Sequence, residues 1–223
     1  MKQLTTLFLC AFLTICNAQE NLTYQQPHQD IMELADAKMA PQILMDNAGE
    51  NIVFLYRDGF KSISELSEEE MRLGGLRINP KTNIGSRTRF SNDIKIRNGR
   101  DGAIMEIAGL PSEGRYAYFS WSPDENTMVF TNTTTTGTEL WALNIDQASA
   151  KKLTEDDLNA NMGRPFVWFK DSESLLVKKL PGSRKALIDT KEAVPTGPTV
   201  SVSEAGVKAQ NRTYQDLLKN KND

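Results

Sequence analysis

The chain has 223 residues, room for one or two domains. Charged residues make up 25%, and 26 Lys+Arg against 29 Asp+Glu give a formal net charge of −3. With a sequence pI near 5.4, the balance gives neither nucleic acid nor an anionic membrane the basic surface it would need as a main partner.

Residues 1–18 read as a targeting segment. Lys2 supplies a positive start, residues 7–15 an apolar run, and Cys16-Asn17-Ala18 a small residue before Gln19. This is the pattern of a cleaved secretory signal, too short to span a bilayer as a helix. A lipoprotein-type cut wants a small residue where Ile15 stands, so cleavage after Ala18 is expected over lipidation, and a secreted or periplasmic location with it. Both cysteines, Cys10 and Cys16, then leave with the leader. The mature chain is expected to have no disulfide and no thiol chemistry, in a compartment that permits disulfides. No other run is long enough to cross a membrane.

Residues 19–41 are polar and mixed, an extended arm with one helical turn around Ile31 to Ala35. Residues 42–193 carry strand signals. Gln42 to Met45 and Ile52 to Tyr56 flank an Asn47-Gly49 turn, and the alternation of Ser62-Ile63-Ser64-Glu65-Leu66 predicts the next strand. Ser67, with Glu70 three residues on, has capping-box spacing and predicts a helical turn over Glu68 to Met71. Residues 74–90 have no helix or strand period over most of their length, and they gather Arg77, Arg87 and Arg89 with Asn79, Asn83 and Ser86. Ile94 to Ile96 and Ala103 to Ile107 predict two further strands.

Residues 119–154 then give the clearest unit. Ser122-Pro123-Asp124-Glu125-Asn126 is turn chemistry: proline presets one backbone angle, and Asp and Asn bond back to the main chain. Thr127 to Thr131 is β-branched and apolar, Thr133 to Gly137 is a second turn, and Leu140 to Ile145 a third strand. The unit recurs 47 residues on, where Trp121 maps onto Trp168, Asp124 onto Asp171, and Met128-Val129-Phe130 onto Leu175-Leu176-Val177. A weaker earlier copy is Asp46 to Asn51 followed by Ile52-Val53-Phe54. A period of about 40–50 residues with four strands per unit is the signature of a β-propeller. The fold class expected is therefore all-β, an incomplete propeller of about three to four blades. An ordinary sandwich with look-alike hairpins is the alternative. Residues 194–223 begin with a Pro/Gly-rich break at 194–198 and end in a polar, helical tail. Closed propellers take roughly four to eight blades, so the chain is expected to be a piece of something larger.

Several strings, in order, carry a resemblance. They are Tyr24-Gln25-Gln26-Pro27, Leu34-Ala35-Asp36-Ala37, Arg57-Asp58, Ser62-Ile63-Ser64-Glu65-Leu66 and Glu70-Met71-Arg72-Leu73. Leu76-Arg77-Ile78-Asn79-Pro80-Lys81-Thr82-Asn83 follows, ending at Ser86-Arg87, and Thr213-Tyr214-Gln215-Asp216-Leu217-Leu218 comes last. The series resembles the amino-terminal region of the prolyl oligopeptidase family of serine peptidases, most nearly its glutamyl endopeptidase-like branch. Lys38 stands where that branch leads one to expect proline. The resemblance implies a propeller set on a carboxy-terminal α/β-hydrolase domain carrying Ser, Asp and His, with a peptide substrate reached through that domain. Independently, residues 1–223 contain no Gly-x-Ser-x-Gly string of a nucleophile elbow. The one histidine, His28, lies in the polar arm and reads as a solvated residue. No catalytic residue can be assigned, and the chain alone is expected to be inactive.

No cofactor is implied. The acidic residues lack zinc or calcium-loop spacing, so no metal ligand is assigned either, and Glu155-Asp156-Asp157 reads as a solvated helix start. Arg77, Arg87 and Arg89, with Arg97 and Arg100 beyond, form the candidate binding set, because guanidinium forks pair with carboxylates at two points. In a parent that cuts after glutamate they can hold or steer an acidic side chain; the competing reading makes them bridges to Asp and Glu of neighbouring strands. Trp121, Trp141 and Trp168 read as core. The Asn-x-Thr strings at Asn21, Asn132 and Asn211 read as chance. A stand-alone periplasmic propeller that binds a protein or peptide, like that of the Tol system, is the rival function, and a truncated product without function is a third.

Overall fold

The computed structural model describes residues 26–186 and 205–206. The leader, the break at 194–198 and the polar tail lie outside the described residues. Residues 1–38 and 39–223 are two separate units. In the first, helix α1 (Gln29–Ala35) starts at His28, whose Nδ1 accepts the Asp30 N–H at 3.4 Å. Among the described residues no helix is long and apolar enough to cross a membrane.

The second unit is built from antiparallel sheets. Strands β1 (Gln42–Met45), β2 (Ile52–Tyr56), β6 (Asp93–Arg97) and β7 (Ile104–Glu106) form a four-stranded sheet in that order. Between β2 and β6 the chain makes helix α2 (Ile63–Leu66) and a small sheet of β3 (Met71–Leu73), β4 (Leu76–Asn79) and β5 (Ile84–Gly85). Strands β8 (Tyr116–Trp121), β9 (Thr127–Thr133), β10 (Thr138–Asn144) and β11 (Ser149–Lys152) make a four-stranded meander. Strands β12 (Phe166–Trp168) and β13 (Leu175–Val177) form a hairpin. The all-β expectation holds.

The meander lies between its neighbours. Alternation along a strand sends successive side chains to opposite faces. Met128 and Phe130 of β9, with Leu143 of β10 and Ile145 just after it, pack on Val53, Leu55, Ile94 and Ile96 of the first sheet. Val129, Leu140 and Ala142 face the other way, onto Phe166, Trp168, Leu175 and Val177 of the hairpin. Trp121 and Trp141 are half-buried against the first of these clusters and Trp168 against the second, the core role expected of them.

The three repeat turns have one construction. In each, a first residue donates its N–H to the carbonyl five residues on and accepts, at its own carbonyl, the N–H three residues on. The pairs are Asp46 to Asn51 and Gly49 to Asp46 (both 3.2 Å), then Ser122 to Thr127 (2.7 Å) and Glu125 to Ser122 (3.0 Å). The third turn has Phe169 to Ser174 (2.9 Å) and Ser172 to Phe169 (3.4 Å). The fourth residue is left-handed every time: Gly49 at φ 69°, Glu125 at 61° and Ser172 at 62°. Asp46 Oδ2 and Ser122 Oγ each accept the N–H five residues on, at 3.0 Å. The weak early copy is thus a true copy of the turn.

The left-handed residues also link one turn to the next. The Glu125 carboxylate accepts the Asn47 N–H at 3.1 and 3.2 Å and the Asn47 side-chain amide as well. Ser172 Oγ accepts the Asp124 N–H at 3.1 Å. Asp124 is held below the usual carboxylate range, first by the Ser122 hydroxyl; Asp171 is lowered likewise, first by the Ser174 N–H.

Three local expectations are corrected. Ser62 to Leu66 is not a strand. Glu65 N–H donates to Ser62 Oγ at 3.1 Å and Ser62 N–H to the Glu65 carboxylate at 3.0 Å, a complete capping box that starts α2. The box predicted at Ser67 and Glu70 therefore sits one turn too late: Ser67 ends α2, and the chain passes into β3. Glu155-Asp156-Asp157 starts no helix. Asp157 bridges to Thr138, and the Thr136 hydroxyl donates to Asp156. Asn132 is buried and donates its amide to Glu139 at 3.1 Å, so its Asn-x-Thr string lies in the core.

Replacing Glu125 separates the link from the backbone strain. Glu125→Ala loses the acceptor and keeps the positive-φ cost. Glu125→Gly loses the acceptor but removes a strain of about 1 kcal/mol. Urea unfolding should place Glu125→Ala below wild type and Glu125→Gly above Glu125→Ala by about that amount; equal stabilities would contradict the left-handed assignment.

Candidate binding clefts around the small sheet

Residues 76–87, within the aperiodic part of the sequence, form β4, a tight connecting loop and β5. Asn79 Oδ1 accepts the N–H groups of Lys81 (3.0 Å) and Thr82 (3.1 Å), and Asn83 N–H closes onto the Asn79 carbonyl at 2.9 Å. Asn83 is left-handed at φ 59°, a conformation that Asn tolerates better than most residues. The loop then joins other sheets. The Thr82 carbonyl accepts Thr138 Oγ1 at 2.9 Å. The Asn83 carbonyl accepts the Ala160 N–H at 2.8 Å, and its side-chain oxygen accepts Arg184 Nη1 at 2.6 Å.

Glu70 is the charged centre of the small sheet. Ser86 Oγ donates to it at 2.6 Å, Arg77 Nη1 at 2.9 Å and Arg72 Nε at 2.8 Å. The Ser86 hydroxyl first, then Arg77 and Arg72, lower its carboxyl to a pKa of about 2 against partial burial. Beside it, Glu68 takes both ends of Arg115, at 2.7 and 3.3 Å, and the Asn79 amide at 2.9 Å. The Arg115 guanidinium also lies 4.4 Å from the centre of the Phe90 ring.

The predicted arginines divide between clefts. Arg77, 19% exposed and paired with Glu70, lines a shallow cleft of about 360 Å³ with Arg87, Leu76, Thr88 and Asn161. Arg87 is exposed, and its side chain also rims a cleft of about 340 Å³ with Glu70, Arg72 and Ser86. Arg89 is exposed and belongs elsewhere. It lines a cleft of about 1240 Å³, with Arg57, Lys61 and Arg115 as further cations and Asp58, Glu65 and Glu113 as anions. Exposed Phe60 and Leu66 add apolar surface there. Arg97 lies on β6 with its Nε buried and without a hydrogen-bond partner among the described residues. Arg100 is exposed in the turn after β6. Arg77 and Arg87 thus come together, and Arg89 does not join them.

The lining offers fixed cations, carboxylates and apolar side chains, which is the equipment of a binding surface. Among the described residues no group of three or more His, Cys, Asp or Glu could hold a metal ion. Glu68, Glu70, Ser86 and Arg115 were not singled out as a network by the sequence. The signal available was a Glu flanked by Arg72 and Arg77, two and seven residues away, with Ser86 beyond.

No family model matches the chain. A probable chloroplastic glutamyl endopeptidase of Oryza sativa subsp. japonica is 31% identical over 213 residues, which is 90% of this chain and 22% of the relative. Its counterpart in Arabidopsis thaliana is 30% identical over 212 residues, again 90% and 22%. The acylaminoacyl peptidase of Pyrococcus horikoshii overlaps 73% of this chain and 20% of its own at 17% identity, with a TM-score of 0.37, an overlap that decides neither fold nor function. The chain is a relative of the glutamyl endopeptidases, the branch of the prolyl oligopeptidase family that its sequence resembles. It spans about a fifth of the length of the curated relatives it matches.

Glu70 sets a testable acid limit. Its carboxyl is lowered from 4.5 to about 2 in the fold, so its contribution is full above the unfolded value and is lost as pH falls from there through about 2. Glu70→Gln should cost about 1–2 kcal/mol at pH 7 and should flatten the stability-against-pH curve between pH 4.5 and 2. An unchanged acid limb in the variant would contradict the network.

Proposed function

We propose that the chain is the amino-terminal propeller portion of a secreted serine peptidase of the glutamyl endopeptidase kind. In this reading the sheets are propeller blades that restrict substrate access to an α/β-hydrolase domain supplying Ser, Asp and His. The observation that carries it is similarity over 90% of the chain to two glutamyl endopeptidases. The repeated turn and the meander between two like faces support the blade reading, since a propeller packs successive sheets face to face. The leader at residues 1–18 supports export to the periplasm or beyond.

Within this reading the clefts of the small sheet assist recognition. Arg87 and Arg89, both exposed, are placed to steer an acidic peptide, and Arg77 holds the cleft wall through Glu70. Long side chains at a rim act mainly on encounter rates, and salt screens them.

The test begins with an antibody against residues 119–154 and the native envelope fraction. The species it captures should react with a fluorophosphonate serine probe and cleave after glutamate. A captured species that neither reacts nor cleaves would overturn the peptidase reading. In the active protein, Arg87→Gln and Arg89→Gln should raise KM for acidic peptides several-fold at low salt with kcat unchanged. Arg77→Gln should lower stability. Unaltered substrate preference in all three would remove the recognition role.

A further inference from the structure

Tyr118 has an unfavourable backbone for its side chain. Its φ is 55°, in the left-handed region that a bulky residue rarely adopts. The register of β8 on β9 shows why the chain turns there. Ala117 stands opposite Thr131 and Ser120 opposite Val129, so Tyr118 and Phe119 together oppose the single Phe130. Two residues against one is a β-bulge, a device that re-aims a side chain.

The bulge changes the side to which Tyr118 turns. Strict alternation from Tyr116 would send Tyr118 with it onto the first core, and Phe119 to the opposite face. Instead Phe119 and Trp121 pack with Tyr116, and Tyr118 lies against the cluster that holds Val129, Leu140 and Phe166. The bulge is pinned there: the Phe119 carbonyl accepts Arg164 Nη2 and the Ser120 carbonyl accepts Trp168 Nε1, both at 3.4 Å. Glycine would take this backbone without strain, so what tyrosine adds lies in its side chain. The ring packs, as a phenylalanine ring would. The hydroxyl reaches further, to 3.5 Å from Thr88 Oγ1.

Thr88 stands between Arg87 and Arg89. Its N–H closes a turn onto the Gly85 carbonyl at 2.9 Å. Its contact with Tyr118 is the one side-chain hydrogen bond that residues 87–89 make among the described residues. The flanks are held separately, Ser86 on Glu70 and Phe90 under Arg115. Arg87 opens onto one pair of clefts and Arg89 onto another, so a single contact sets the root of both side chains.

We infer that Tyr118 is a positioning residue: through Thr88 it holds residues 87–89 so that Arg87 and Arg89 present their charges to an acidic peptide. The inference rests on the recognition role of the two arginines given above. A fixed root lowers the ordering cost that each long side chain meets when it engages a carboxylate. The effect therefore falls on binding and leaves the chemical step alone.

The experiment uses the protein made from its own locus and captured from the envelope fraction. Tyr118→Phe removes the hydroxyl and keeps the ring. Thr88→Val removes the partner hydroxyl, and Thr88→Ser keeps one. Two quantities are measured: native-state hydrogen exchange at residues 87–89, and KM and kcat for acidic peptides at low salt. Tyr118→Phe and Thr88→Val should each speed that exchange several-fold and leave the amides of Met128 to Asn132 unchanged. Both should raise KM several-fold with kcat unaltered, and Thr88→Ser should behave as wild type. Tyr118→Phe should add nothing to KM once Arg87→Gln and Arg89→Gln are both present. Wild-type exchange at residues 87–89 in both variants overturns the inference. Faster exchange that extends to Met128 to Asn132 also overturns it, since it marks a purely structural role. So does faster local exchange with wild-type KM where Arg87→Gln and Arg89→Gln do raise KM. A KM that no variant alters, the arginine ones included, sinks the recognition role instead, and the exchange rates still report whether Tyr118 holds the segment. Thr88→Val decides the matter if Tyr118→Phe does not fold.

Discussion

Strand β9 is buried on both of its faces, and the rest of the second unit is arranged to make that possible. Met128, Val129, Phe130 and Thr131 are all completely shielded from solvent. A strand with two buried faces needs a sheet on each side, and each large apolar side chain taken from water contributes about 1.5–3 kcal/mol. Phe130 meets two aromatic rings, Phe119 stacked at 5.5 Å and Tyr116 edge-on at 5.4 Å. Removing either neighbouring sheet would expose one row of these side chains.

Burial alone does not fix how the sheets are staggered. The turn links do that. A hydrogen bond from a backbone N–H to Glu125 or Ser172 contributes on the order of 1 kcal/mol net, less than one buried leucine. Its value is directional: it aligns the end of one hairpin with the end of the next, across 78 and 48 residues of sequence. The loop at residues 79–83 does the same work at another edge, tying the small sheet to Thr138, Ala160 and Arg184.

The repeat was legible because turn chemistry is local. Ser122-Pro123-Asp124 and the residues 47 positions on announce the same bends, and even Asp46 to Asn51 shares them without the tryptophan. The failures were also physical. Ser62-Ile63-Ser64-Glu65-Leu66 satisfies two templates at once, strand alternation and a Ser-x-x-Glu capping box, and the mutual bonds of Ser62 and Glu65 decide for the helix. Glu70 looked like a capping residue because its real partners, Arg77 and Ser86, reach it only after β3, β4 and β5 have paired. The arginines looked like one cluster in sequence. The pairing of β4 with β5 brings Arg77 and Arg87 to one cleft, and the loop after β5 carries Arg89 to another. The relationship to the glutamyl endopeptidases was readable for a different reason. Residues 76–87 carry specific polar contacts from Arg77, Asn79, Asn83 and Ser86 that no simple strand or helix period describes, and such a string is hard to meet by coincidence.

Native-state hydrogen exchange on the folded chain tests the central claim most directly. If β9 is the strand on which both neighbouring sheets depend, the amides of Met128 to Asn132 should exchange slowest. They should open only with global unfolding, while those of β1 and β13 should exchange through smaller, local openings. Exchange of the β9 amides as fast as that of β1 and β13 would contradict the account, and with it the stacking of the first sheet and the hairpin on opposite faces of the meander.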